Sequence, residues 1–169
     1  MKRADYLLVL TLITFSGVIL TVYNGCSEKD DNQVGCEGLV TDTAGTNDSG
    51  IIYMPNAFTP DGNGINDCLF IVTVNIAAIN LTVYDKKHNE VYSNYGEFVV
   101  FCPEQSIQTT YYYKIQATTI DSNHIGLCGR AFSFIGCVPK SYNGDQLYFA
   151  DQIDPVEGFV LPTMEIPCK

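Results

Sequence analysis

The stretch TYYYKIQATT, residues 110–119, decides the fold class of this chain. Its side chains alternate in character, and four of them share one apolar face: Tyr111, Tyr113, Ile115 and Ala117. Because successive side chains of a β-strand point to opposite faces, this period of two predicts a strand with one buried face. Tyr112 belongs to the other face and is a candidate binding surface, although half of such a tyrosine row is usually core.

Six further segments have the composition or the alternation of strands. They are 51–58, 68–74, 79–85, 90–93, 97–102 and 130–137. Turn-forming residues separate the segments at intervals of about eight to twelve residues, which is typical of a β-sandwich. The predicted fold is therefore all-β, an antiparallel sandwich of about seven strands, in which Pro55 assigns the first segment to an edge.

Composition and charge exclude one class of partner. The chain has 169 residues, of which 46% are hydrophobic, so that it can bury a sizeable core. Its formal net charge is −10. An acidic surface cannot neutralise phosphates, so we expect no nucleic-acid partner.

The N-terminus has the three parts of an export signal. Lys2 and Arg3 precede an uncharged apolar run at 7–23, and small residues follow the run. A basic end stays on the cytoplasmic side while the apolar run enters the bilayer, so residues 1–25 are predicted to be a signal peptide. The alternative is a permanent anchor, although the run is at the lower limit of length for a spanning helix.

Gly25 and Cys26 resemble the end of a bacterial lipobox, in which the cysteine is lipidated and becomes the new N-terminus. The segment SEKDD at 27–31 resembles the acidic signal that sends Bacteroidetes lipoproteins to the cell surface. Several acyl chains would hold such a protein stably in the membrane. The predicted location is therefore the cell surface, lipid-anchored in the outer membrane. The alternative is that Cys26 forms a disulfide.

Cysteine number agrees with lipidation of Cys26. The chain has seven cysteines, an odd number. Without Cys26, the disulfide candidates are Cys36, Cys68, Cys102, Cys128, Cys137 and Cys168. Six cysteines in an exported chain favour three disulfides over a zinc or redox site, because no pair has Cys-x-x-Cys spacing. The sequence does not choose among the fifteen pairings.

Composition shifts divide the chain into four parts. They are a signal peptide at 1–25, a flexible tether at 26–50, the sandwich at 51–138, and an extension packed on the sandwich at 139–169. Asn143-Gly144 predicts a hairpin in the extension. We expect Cys168 to fix the end of the extension to the body.

The segment MPNAFTPDGNGINDCLFI, residues 54–71, contains a candidate cation loop. Oxygen ligands at alternate positions can surround Ca²⁺, and the candidates are Asp61, Asn63, Ile65 through its carbonyl, and Asp67. Asn66 stands where a helix–loop–helix calcium site has glycine, and no glutamate follows nearby. The alternative is a rigid turn in which Asn and Asp side chains cap the backbone.

The same segment resembles the beginning of the gliding-motility-associated C-terminal domain, also called the type B sorting domain of type IX secretion. Residues 81–92 and 109–115 are similar to two later segments of that family. The resemblance implies an immunoglobulin-like sandwich in a Bacteroidetes envelope protein. Two features depart from the family: Lys86-Lys87-His88 replaces Arg-Trp-Gly, and the chain continues beyond residue 137.

Catalytic motifs are missing from the sequence. His88 and His124 lie in polar, turn-like settings without a nucleophile or carboxylate at a recognisable spacing, so we expect no enzyme. The predicted function is a surface lipoprotein that acts as a non-catalytic binding or structural module, with an envelope protein or glycan as partner. The alternative is a sorting domain that engages type IX secretion and gliding-motility machinery. No cofactor is expected beyond the candidate structural calcium.

Overall fold

The structure, a computed structural model, describes residues 35–42 and 50–169. Its strands are β1 (Ile51–Tyr53), β2 (Ala57–Phe58), β3 (Leu69–Phe70), β4 (Val72–Val74), β5 (Ile76–Tyr84), β6 (Glu90–Gly96), β7 (Val100–Phe101), β8 (Thr109–Thr119), β9 (His124–Ser133), β10 (Ser141–Tyr142), β11 (Asp145–Gln146), β12 (Ile153–Asp154) and β13 (Gly158–Phe159). A 3-10 turn at Ala150–Gln152 is the one helical element in the described part of the chain.

A five-stranded sheet organises the fold, with strand order β2-β9-β8-β5-β6. The central strand β8 is antiparallel to β5 and to β9 along most of its length. The edge strand β2 is instead parallel to β9, with Ala57 opposite Phe132. This parallel pair is the one departure from the antiparallel arrangement that we predicted for the main sheet.

The core lies between this sheet and a second layer made of the pairs β1-β4 and β3-β7. From the sheet it receives Ile79, Leu81, Val83, Tyr111, Tyr113, Ile115, Ala117 and Ala131, and from the other layer Leu69, Ile71, Val99 and Phe101. All four residues of the predicted apolar face of β8 are therefore buried. The all-β sandwich is confirmed.

Each predicted strand segment contains a strand, but two segments are divided. Pro55 is fully buried and separates β1, in one layer, from β2, in the other. Proline removes a ladder donor, so the chain changes sheets where the ladder has to end. Within 68–74, Ile71 lies between β3 and β4, which pair with different strands of the second layer, β7 and β1. The count of about seven strands was therefore too low.

The second face of the sheet is covered by residues 35–42. Backbone groups of Val40 exchange hydrogen bonds with the Gln116 side chain, at 2.9 and 2.8 Å. Cys36 is joined to Cys128 of β9. Residues 35–42 fall inside the predicted tether but pack on the domain.

Tyr112 lies on this second face, as the alternation predicts, but it is only 6% exposed. The His88 ring packs edge-on against it, with ring centroids 5.3 Å apart. The side chain is therefore not available at the surface, and the prediction that Tyr112 forms an outward binding surface is wrong. Alternation assigns a residue to a face and does not say what covers that face.

The C-terminal extension packs on the end of the sheet. It forms a second apolar cluster of Ala57, Phe132, Phe134, Val138, Leu147 and Phe149. The predicted hairpin is present as β10-β11, with Asn143 and Gly144 both at positive φ. Cys168 pairs with Cys137, so the end of the extension is fixed to the body. The third disulfide joins Cys68 to Cys102.

No helix in residues 35–42 and 50–169 has the length and apolar character needed to cross a membrane. The predicted signal peptide and Cys26 lie outside the described residues.

Gly129 gives a test of core packing. A Cβ at this position would lie 2.6 Å from the Tyr113 hydroxyl and 2.8 Å from Cζ of its ring. We expect Gly129→Ala to lower the free energy of unfolding by about 1–3 kcal/mol, because the buried ring has to move. Urea denaturation measures the change. Gly96→Ala is the control, since its Cβ would meet no atom closer than 3.6 Å; equal losses in both variants would contradict the packing argument.

Candidate functional site

The loop at 59–67, which we call the motif loop, is held in shape by hydrogen bonds between its own side chains and its backbone. The Asp67 carboxylate accepts hydrogen bonds from the backbone N–H of Gly62 and of Gly64, both at 2.7 Å. Both glycines have positive φ, a conformation that costs glycine little because it lacks a Cβ. The two amides therefore point at one carboxylate, and the glycines in this motif are required by that geometry.

The other calcium candidates belong to the same network. Asp61 Oδ1 accepts from Asn63 N at 3.1 Å, and Asn63 Oδ1 accepts from Ile65 N at 2.6 Å. The Ile65 carbonyl oxygen lies 3.4 Å from the Thr59 hydroxyl oxygen. The candidates thus cap backbone amides, as the turn alternative predicts. Among the described residues, no three His, Cys, Asp or Glu side chains are grouped to hold a metal ion; the calcium site remains a candidate, with the rigid turn as its alternative.

A glutamate of the extension reaches into this loop. Glu165 is 9% exposed, and its Oε1 accepts hydrogen bonds from the Thr59 hydroxyl at 2.6 Å and the Asn66 amide at 2.9 Å. Asn66 also accepts a bond from the backbone N–H of Asp151 at 3.1 Å. Glu165 could not be predicted from the sequence as part of this site, because it lies 106 residues from Thr59 and carries no local signal.

Asp151 holds the chain that presents Glu165. Its Oδ2 accepts hydrogen bonds from the Thr163 hydroxyl at 3.1 Å and from Met164 N at 2.6 Å. The hydroxyl of Thr163 in turn accepts from Glu165 N at 3.2 Å. Hydrogen bonds therefore connect residues 151 and 163–165 of the extension to each other and to Asn66. The motif loop and the extension form one polar network.

A groove of about 530 Å³ opens beside the start of β6. Its apolar lining comes from Val91, Tyr92, Phe101, Ile107 and Tyr111. Three of these rings pack together, with Phe101 centroids 5.5 Å from Tyr92 and 5.0 Å from Tyr111. An apolar concave surface with few polar groups is typical of a binding site.

The Asp85–Asn89 turn supplies part of the polar lining of the groove, to which Glu104, Gln105 and Thr109 also contribute. Asp85 accepts hydrogen bonds from the Asn89 side chain, from Asn89 N and from Lys87 N. These hydrogen bonds hold the pKa of Asp85 below its ordinary value, and the bonds from Asn89 contribute most to that shift. Burial, assisted by the Asp85 charge, raises the pKa of Tyr111. Lys86 and Lys87 are exposed beside the groove.

The two histidines have different partners. His88 lies on Tyr112, as described above. The His124 ring is 3.1 Å from Asp42, and His124 N donates to the same carboxylate oxygen at 2.6 Å. These hydrogen bonds hold the pKa of Asp42 below its ordinary value. Neither histidine lies within the groove lining.

Comparison with known proteins matches part of the chain to a family. Residues 52–127 match the family of the CHU_C type IX secretion signal domain. The matched segment contains the motif loop and the central strands β5 and β8. The resemblance to the gliding-motility-associated C-terminal domain is therefore confirmed. The match indicates a protein of the cell envelope or a secreted protein. No curated protein and no solved structure matches the chain.

The hydrogen bonds of the motif loop predict its response to calcium. To bind the ion, Asp67 would have to give up two amide bonds, so we expect millimolar Ca²⁺ to leave the melting temperature unchanged. Thermal melts with Ca²⁺ and with a chelator measure this. A rise of about 2 °C or more that Asp67→Asn abolishes would instead establish a calcium site.

Replacement of Glu165 tests the connection between extension and motif loop. We expect Glu165→Ala to lower the free energy of unfolding by about 2 kcal/mol or more, because buried donors on Thr59 and Asn66 lose their acceptor. Urea denaturation measures the loss. Glu157→Ala removes an exposed carboxylate from the same extension and should change stability by less than about 0.5 kcal/mol. Similar values for both variants would count against the connection.

The lowered pKa of Asp42 predicts that the attachment of residues 35–42 to the domain depends on pH. Its folded pKa is lower than its ordinary value of 3.8, so the carboxylate stabilises the attachment above that pH. The contribution is lost as pH falls through the lowered pKa. The protection factor of the His124 amide, which is its exchange rate corrected for the intrinsic dependence on pH, should therefore fall only under acid conditions. Asp42→Asn should show low protection at all pH values; an unchanged profile would refute the role of the charge.

Proposed function

We propose that residues 50–169 are a sorting domain through which type IX secretion machinery exports this protein. The observation that carries the proposal is the family match at 52–127, which includes the motif loop and the centre of the sheet. The domain acts by being bound and not by catalysis. It requires no cofactor for this role.

The order of the two functions predicted from sequence is thereby reversed. The family match supports the sorting domain, which was the alternative, and lends no support to a lipoprotein binding module. Lipidation of Cys26 and an outer-membrane anchor remain predictions from the N-terminal sequence.

Contacts of the motif loop support an export signal that is longer than the matched segment. Thr59 and Asn66 lie inside the match, whereas Glu165, which accepts from both, lies outside it. The extension also buries Ala57 and Phe132 in its apolar cluster. We therefore include the extension in the functional unit, because the attachment of the motif loop to the domain depends on it.

Export of a reporter tests the proposal. Residues 35–169 are fused behind a reporter with a general export signal, in a bacterium that has type IX secretion. We expect the reporter outside the cell in the parent strain and retained in the periplasm of a strain without the machinery. Asp67→Ala should reduce export, whereas Asp121→Ala, on the β8-β9 turn, should not.

The lipoprotein alternative is tested in parallel on the full chain. Surface display that continues without type IX machinery and is abolished by Cys26→Ser would contradict the sorting function. Mass spectrometry of the membrane fraction shows directly whether Cys26 carries acyl chains.

A further inference from the structure

The three disulfides in the described part of the chain differ in their exposure. One of them, Cys137–Cys168, has both of its cysteines exposed. In each of the other two, Cys36–Cys128 and Cys68–Cys102, at least one cysteine is half-buried. Thiol–disulfide exchange requires a thiolate to reach a sulfur atom, so its rate depends on access. Of these three bonds, Cys137–Cys168 is therefore the most accessible to a reductant.

Cys102 is also exposed, but the core keeps its disulfide together. Leu69 and Phe101, the residues beside Cys68 and Cys102, are partners in the β3-β7 pair and are 0% and 4% exposed. If this bond opened, the buried pair would keep the two sulfurs adjacent, and their high effective concentration would close it again. Exposure of Cys102 alone therefore does not make that disulfide easy to reduce.

The segment at 162–169, which we call the tail, has no comparable apolar anchor. Its large hydrophobic side chains, Met164 and Ile166, are 66% and 73% exposed. Both of its prolines, Pro162 and Pro167, are exposed as well, and Glu165 is its one buried residue. Burial of apolar surface therefore contributes little to the attachment of the tail.

Hydrogen bonds and the disulfide attach the tail instead. Backbone bonds join Val138 N to Ile166 O at 2.8 Å and Cys168 N to Val138 O at 2.9 Å. The carboxylates of Asp151 and Glu165 accept the side-chain and backbone bonds described above. A detached tail would exchange these bonds for bonds to water, so each contributes only modestly to attachment. The disulfide is therefore the main constraint, because it limits how far Cys168 can move from the body.

We propose that Cys137–Cys168 is a redox modification site at which a dithiol reductant releases the tail from the motif loop. A thiolate of the reductant attacks one sulfur, the S–S bond breaks, and the other cysteine leaves as a thiolate that takes up a proton. The second thiol of the reductant then displaces the remaining cysteine from the mixed disulfide. Both cysteines end as thiols, and the dithiol, having supplied two electrons and two protons, becomes a disulfide. Release carries Glu165 away from Thr59 and Asn66. This site goes beyond the proposed function and does not require it.

Graded reduction of the full-length chain, kept in solution with a mild detergent, tests the selectivity of the site. All proteins carry Cys26→Ser, so that each free thiol comes from one of the three disulfides. Dithiothreitol is the dithiol, iodoacetamide traps the thiols, and mass spectrometry of peptides identifies them. We expect Cys137 and Cys168 to be trapped at a dithiothreitol concentration about tenfold lower than either other disulfide requires. Earlier opening of another disulfide, or opening of all three together, would overturn the site.

Hydrogen exchange tests whether opening releases the tail. The double variant Cys137→Ser with Cys168→Ser represents the opened protein. We expect the amides of Val138, Met164 and Glu165 to exchange at least about tenfold faster than in the oxidised protein, while the amides of β8 keep their protection. Unchanged exchange at these three amides would contradict the release. Faster exchange throughout β8 would also contradict it, because opening would then unfold the whole domain.

Glu165→Ala distinguishes release of the tail from a general loss of stability. In the oxidised protein, this variant should lower the urea midpoint, because Thr59 and Asn66 lose their acceptor. In the double cysteine variant, the shift should be less than about half as large, because Glu165 has already left the motif loop. Equal shifts in the two backgrounds would show that the tail stays attached without the disulfide, and the proposal would be wrong.

Glu157→Ala is the matched control for this comparison. It removes an exposed carboxylate of the extension that lies outside the tail, so the urea midpoint should change little in either background. None of these assays measures export. Their failure therefore leaves the sorting function untouched, and failure of the reporter assay leaves the redox site untouched.

Discussion

Pairing of β8 on both sides is the constraint on which the rest of the structure depends. Its eleven residues form ladders with β5 and β9, and its apolar face supplies four residues of the core. The other face is covered by residues 35–42. A strand that is paired at both edges and covered on both faces loses most of its contact with water, so each neighbouring element takes its register from it.

The motif loop shows how a local signal can depend on distant residues. Its turn geometry is supplied by its own glycines and by Asp67, over a few residues. Its attachment to the domain is supplied by Glu165 and by the backbone of Asp151. The Cys137–Cys168 disulfide closes the segment that carries both, and so reduces the entropy that the extension can gain by detaching.

The C-terminal extension also makes the two edges of the main sheet different. It closes the β2 edge with backbone and side-chain hydrogen bonds and leaves the β6 edge, at the far side of the sheet, to solvent. The motif loop and the groove therefore lie in different surroundings, one fixed by internal contacts and one open.

The alternation of apolar and polar side chains within single segments, and the residue types of the turns, could be predicted from the sequence. The alternation in 79–85 and 110–119, the Asn143-Gly144 turn, and the cysteine number predicted strands, a hairpin and three disulfides, because each depends on neighbours in the chain. The motif at 55–67 was sufficient to indicate the family. Pattern also placed Tyr112 on the correct face of its strand.

Which elements contact each other could be read from the three-dimensional structure alone. It paired Cys36 with Cys128, across 92 residues, placed β2 parallel to β9, and buried Tyr112 beneath a covered face. It also brought Glu165 to Thr59. Such contacts depend on how well the whole core packs and on which buried polar groups find hydrogen-bond partners. Both free-energy contributions are sums over residues that are distant in the sequence. A local sequence pattern predicts a strand from its alternating side chains. It does not predict which distant residue will pack against that strand.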